Sequence, residues 1–281
     1  QNARNFWVDG QARQAPPDLR QARPAPAQPQ VDQPRRLFGG AADRVDRREV
    51  VRQQRFAGDH FDVRAVFGGQ LLAFAGAMFG LVTTDDLMVL YTFWEITSVL
   101  SFLLIGYSGH RIFARRSAIT ALIVTTFGGL AMLAGLIMLA HFAGSWRISG
   151  VLAAAPGLLA DDGGRVLLEV AVGLVLIGAL TKSAQAPFHF WLPGAMAAPT
   201  PVSAYLHAAA MVKAGVFLVA RLAPAFHELA TWQVLVLGLG LWTLMLGGWR
   251  ALRQTDVKLV LAYGTVSQLG FLMVANGLGT R

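Results

Sequence analysis

The stretch "GALTKSAQAPFHFWLPGAM", residues 178–196, ends an apolar run that opens at residue 166, yet it holds Lys182, His189, Pro187 and Pro193. Proline has no N–H and its ring blocks the carbonyl one turn earlier, so a helix entering this stretch is predicted to break over 181–185. Inside a hydrocarbon layer such a break survives only where protein or a water-filled cavity takes up the freed backbone groups. Lys182 stands at the break. Exposed carbonyls there favour its charged form and burial favours its neutral one, so it is poised to change state. A proline kink with the lysine reaching the headgroups is the other reading.

The composition around this stretch makes the membrane its solvent. Of 281 residues, 54% are hydrophobic and 14% charged, too apolar for an ordinary soluble domain. From residue 67 the apolar residues gather in runs near bilayer-crossing length. Seven spans are expected, over 67–82, 87–107, 117–142, 166–192 (interrupted), 202–220, 232–249 and 258–278. The fold class is therefore all-α, a polytopic transmembrane helix bundle with one discontinuous helix. Residues 1–66, rich in Gln, Arg, Pro and Ala, have no hydrophobic period and no signal-peptide core. They are expected to be a disordered or out-of-frame tail without assigned function. Residues 67–281 form the membrane domain, expected to be a partial one that stops in its seventh span.

Charge patterning orients the spans. Alternation puts Arg111, Arg115, Arg116, Arg250 and Arg253 on one side, the cytoplasmic one by the positive-inside bias. Arg147, Arg165 and Arg221 fall on the other with Asp85, Asp86, Asp161, Asp162 and Glu228. Trp146, Trp191, Trp232 and Trp249 lie near span ends, as interfacial anchors would, and Glu169 and Asp256 read as interfacial. The net charge of +8 sits in loops and tail, where a membrane surface accounts for it without nucleic acid. With no cysteine, disulfides, thiolate catalysis and cysteine-held metals are excluded. No nucleotide loop, haem pair or zinc motif is present, so no cofactor is expected.

The three lysines, Lys182, Lys213 and Lys258, all lie in or beside apolar runs, while arginine serves the loops. Only lysine of the two can release its proton in a protein. Glu95 interrupts "LMVLYTFWEITSVLSFLLIGY" (87–107) about 12 Å down the helix, near mid-membrane, where an acid costs roughly 2.5–3.5 kcal/mol. Ser98 and Tyr91 share its face and are candidates to hydrogen-bond it. A structural acid paired to a neighbouring helix is the alternative. Lys213 lies eleven residues into the span 202–220, too central to snorkel, and His207 in the same span can hand a proton on. His207 alone would read as a packing residue. His189 and Lys258 are weaker candidates, the first near the interface, the second a snorkelling lysine at a span start. One acid and several bases at membrane depth point to ion movement through proton exchange.

The segments "WEITSVLSFLLIGY" (94–107), "TKSAQAPFHFWLPGAMAAPTPVSAYLHAAAMVKAG" (181–215) and "DVKLVLAYGTVSQLG" (256–270) resemble the antiporter-like membrane subunits shared by Mrp-type cation/proton antiporters and respiratory complex I. The likeness runs over 69–277. It implies inverted five-helix repeats, each with a discontinuous helix, around a hydrated polar axis. It also implies that Glu95, Lys182, His207 and Lys213 form a proton relay. "HFWLPGAM", "MVKAG" and "VTTFGGLAML" are more similar to the branch of the large Mrp-type subunit, as are Thr126 and Gly129, where complex I relatives tend to carry charge. The implied setting is a bacterial inner membrane. The implied partners are other integral subunits, the lipid bilayer, H⁺ and Na⁺. The rival expectations are a proton-pumping subunit of a respiratory complex and a structural subunit that does not transport.

Overall fold

The computed structural model describes residues 65–107, 112–160, 163–205 and 210–278. Except for residues 65 and 66, the expected tail lies outside the described residues, as do His207, Arg111, Asp161 and Asp162. Every long element is a helix: α1 Ala65–Thr83, α2 Leu87–Ile105, α3 Ile112–Ala143, α4 Ile148–Ala160, α5 Arg165–Lys182, α6 Lys213–Phe226, α7 Ala230–Ala251 and α8 Val257–Gly277. Among them α1, α2, α3, α7 and α8 are long and apolar enough to cross a bilayer. The fourth and fifth predicted spans are the interrupted ones. Short helical turns, Phe188–Phe190, Trp191–Gly194, Ala195–Ala197 and Thr200–Ser203, join α5 towards α6.

The start of one element and the whole of another lie in stretches expected to be loops. α3 begins at Ile112 and so absorbs Arg115 and Arg116. α4 lies between the third and fourth spans and buries Ile148, Val151 and Ala155 at helical spacing. With 13 residues it is too short to cross.

α2, α3 and α5 pack as a continuous layer, and α7 pairs with α8. Small residues allow the close approach, as expected where lipid supplies no hydrophobic drive between helices. A Cβ at Gly178 of α5 would stand 2.8 Å from the Gly128 carbonyl oxygen of α3. Trp191 and Trp232 are 1% and 0% exposed, so they are core residues and not the anchors expected. Trp146 and Trp249, at 48% and 61%, remain exposed. The indole of Trp191 is drawn inward because its N–H donates to the Thr181 carbonyl at 3.0 Å.

One end of the bundle is tied by Asp85, in the turn between α1 and α2. Its carboxylate accepts from Ser149 Oγ (2.5 Å), from the Ser149 N–H (3.1 Å) and from Arg221 of α6 (3.0 Å). Arg221 also donates to the Thr84 carbonyl at 2.7 Å. The Ser149 hydroxyl is the largest influence holding the Asp85 carboxyl below its ordinary range, with the Ser149 N–H, Arg221 and Arg147 adding to it and partial burial opposing.

Candidate functional site

The predicted break falls where Pro187 puts it. α5 ends at Lys182, Ser183 caps it, and Ala184 turns the chain with φ +49°. The backbone groups released there are met by protein, as the hydrocarbon setting demands. The Ser183 N–H reaches the Ala179 carbonyl and the Gln185 N–H that of Leu180. The Ala186 N–H donates to Thr243 Oγ1 of α7 at 2.8 Å, and that hydroxyl donates in turn to the Leu239 carbonyl at 2.6 Å. Ser183 Oγ donates to the Val212 carbonyl at 2.7 Å.

Lys182 is fully buried at this break. Its ammonium donates to the Trp94 carbonyl (2.6 Å), Thr97 Oγ1 (2.6 Å) and Ser98 Oγ (2.9 Å), all on α2, and lies 4.7 Å from the centre of the Trp94 ring. Both hydroxyls donate to the Trp94 carbonyl, which leaves their lone pairs facing the lysine. Three N–H donors thus meet three uncharged acceptors.

Glu95 is the residue after Trp94, so the acid and the base are electrostatic neighbours. They do not form a direct pair: the ion pairs among the described residues are Arg165–Glu169, Arg221–Asp85 and His227–Glu228. Glu95 Oε1 is buried without a hydrogen-bond partner, so neither Ser98 nor Tyr91 serves it. Ser98 faces Lys182 instead. The carboxylate lies against Gly129 of α3, where any Cβ would collide with Oε1.

Lys213 departs from expectation. It is the first residue of α6 and exposed, not the centre of a continuous span. The backbone ahead of it leaves the α-helical pattern: the Ala210 N–H bonds the Tyr205 carbonyl five residues back, and those of Lys213 and Ala214 bond carbonyls three back. The Val212 carbonyl goes to Ser183. His189 is buried, with Nε2 2.9 Å from an Arg250 amino group and Nδ1 without a partner. An arginine can only donate, so Nε2 accepts and the ring proton sits on Nδ1. Lys258, one residue into α8, donates to the Ala198 carbonyl at 3.4 Å. Glu169 accepts from Thr231 at 3.1 Å near Arg165.

The structure therefore brings together Glu95 and Lys182, places Lys213 one hydrogen bond beyond the break, and leaves His189 and Lys258 on other partners. Thr97, the Trp94 carbonyl and Thr243 escape a sequence reading. Thr97 alone left a trace, as a hydroxyl two residues after the acid in the apolar run.

Residues 84–281 match the family described as NADH:quinone oxidoreductase/Mrp antiporter, TM. A Na(+)/H(+) antiporter subunit of Alkalihalophilus pseudofirmus is 50% identical over 210 residues, which are 75% of this chain and 26% of that protein. A probable K(+)/H(+) antiporter subunit of Rhizobium meliloti is 50% identical over 76% of this chain and 21% of its own length. A component of the Mrp complex from Dietzia sp. DQ12-45-1b superposes with a TM-score of 0.71 at 42% identity, over 75% of this chain and 23% of that one. The membrane-bound sulfane sulfur reductase, an archaeal respiratory membrane complex, gives 0.66 at 25% identity, over 73% and 42%. The chain thus spans about a quarter of the length of its first curated relatives.

Proposed function

We infer from this chain, which belongs to the NADH:quinone oxidoreductase/Mrp antiporter transmembrane family, that it works as a membrane subunit of a multisubunit Na⁺/H⁺ antiporter. Residues 67–281 form its antiporter-like domain, in a bacterial inner membrane beside other integral subunits. Protons pass along Glu95, Lys182, His207 and Lys213. The observation that carries this reading is the fully buried Lys182 ammonium, held at a helix break by neutral acceptors with an unpaired carboxylate oxygen nearby.

The geometry suits a switch. Neutral acceptors stabilise the ammonium without fixing it there, since hydroxyls and a carbonyl tolerate a neutral amine better than a paired carboxylate does. Approach of Glu95 favours the charged lysine; its withdrawal leaves a desolvated amine that yields its proton towards Lys213 and His207. Inward proton flow then drives the cation outward. Exchange of this kind is transport by a secondary carrier, without bond-breaking chemistry.

The test is dissipation of a pH gradient on adding Na⁺ to everted vesicles that hold the full-length complex. Lys182→Arg keeps the charge and removes proton release. It is expected to abolish exchange, and retention of full exchange would refute the relay. Because the sodium and potassium relatives are equally similar, the assay is run with both salts, and Na⁺ is expected to give the larger response.

The second reading, a proton-pumping respiratory subunit, draws on the 25% identity to the archaeal respiratory complex. It requires gradient formation driven by a redox substrate with no cation exchanged. The much higher identity to antiporter subunits favours the first.

A further inference from the structure

Lys182 and Lys213 of the proposed relay are 31 positions apart, yet one hydrogen bond lies between their neighbours in sequence. Ser183 directly follows Lys182, and the carbonyl that its hydroxyl reaches belongs to Val212, the residue before Lys213. Ser183 is fully buried, and Val212 is 0% exposed. The bond therefore has no water to exchange with, and breaking it leaves a carbonyl unserved in a dry interior. A second observation places α6 against the break. Gly215, two residues after Lys213, packs so closely on α5 that a Cβ there would collide with both the Ala179 carbonyl and Ser183 Oγ.

We propose that Ser183 is a positioning residue that links Lys182 to Lys213, so that a change of state at the first lysine moves the start of α6 and the exposure of the second. This deepens the relay reading and rests on it. The mechanical reason lies in the two ends of the bond. Ser183 caps α5 and Ala184 is already in a left-handed turn, so this segment has few other ways to move. Val212 sits in the irregular backbone ahead of α6, where the Lys213 and Ala214 N–H groups bond the Ala210 and Met211 carbonyls three residues back, a geometry poorer than the helical one. A shift of the Lys182 end is therefore passed to the softer side. The far side of the break is held separately, by Thr243 on α7.

The test uses the intact complex with the full-length protein. Lys213→Cys is introduced, and its rate of reaction with a charged maleimide is measured with Lys182 and with Lys182→Met, which stands for the uncharged state. The parent complex without the added thiol is the blank. With Ser183 present, Lys182→Met is expected to change the labelling rate on the order of five-fold. With Ser183→Ala the two rates are expected to coincide. An undiminished change in Ser183→Ala overturns the proposal, and so does no change with Ser183 in place.

Should Ser183→Ala fail to assemble, Gly215→Ala presses on the same hydroxyl and is expected to blunt the response; an unaltered response there overturns the proposal. Thr243→Val removes a hydroxyl from the other side of the break and is expected to keep the response. Its loss in that variant would mean that any disturbance of the break suffices, and Ser183 would have no special part. The labelling reads the link whether or not protons use it. Failure of the relay itself would appear separately, as full exchange in Lys182→Arg.

Discussion

A lysine ammonium has three N–H donors, and at Lys182 each has a named acceptor on α2. Thr97→Val keeps the side-chain volume and removes one of them. It is expected to cost about 1–3 kcal/mol, because a buried charged donor is left unmet. The check is a lower unfolding temperature of the purified complex, with exchange reduced in the same preparation. The lysine and Glu95 were both legible in the sequence, since a charge inside an apolar run can be seen in one dimension. Their surroundings were not. Thr97 and the Trp94 carbonyl stand 85 and 88 positions from Lys182, and Ser98, which helical spacing makes a candidate partner of Glu95, turns to the lysine. A shared helix face says which groups can meet, but a stronger donor on another helix decides which do.

The discontinuous element was predicted because proline announces itself. Its closure was not, because the hydroxyl that meets the Ala186 N–H comes from Thr243, far along the chain on α7. Thr243→Val is expected to leave that amide buried and unmet and to destabilise by about 1–3 kcal/mol. Thr243→Ser should restore most of the loss, and thermal unfolding of the two variants side by side measures it. The second irregularity, ahead of Lys213, had no such herald. Residues 210–212, "AMV", contain neither proline nor glycine, and alanine and methionine are good helix formers. Tertiary contacts override that preference: Ser183 takes the Val212 carbonyl, and Gly215 lets α6 settle against α5.

For the whole molecule, hydropathy predicts seven spans, of which five are helices long and apolar enough to cross a bilayer, and the family resemblance supplied their kinship, which the match over 84–281 bears out. What hydropathy lacked was the ends. Asp85, Ser149 and Arg221 come from three separate parts of the chain and meet at one end of the bundle. Asp85 sits below its ordinary carboxylate range. A depressed acid contributes stability above its unfolded value, about 3.9, and the contribution disappears as pH falls through the lower folded one. The unfolding temperature of the intact complex is therefore expected to fall more steeply below about pH 4 than that of Asp85→Asn. Parallel curves would assign the acid sensitivity elsewhere.

The 32 residues of α3 make a rod of about 48 Å, against a hydrocarbon slab of about 30 Å. Leaning alone would have to reach about 50° to hide it, beyond the 0–40° range of membrane helices. Part of the rod must stand clear of the oil. Its opening turns, with Arg115 and Arg116 both uncovered, are thus carried on a stiff post, and whatever anion meets them finds two cations at fixed height and spacing, like studs on a mast.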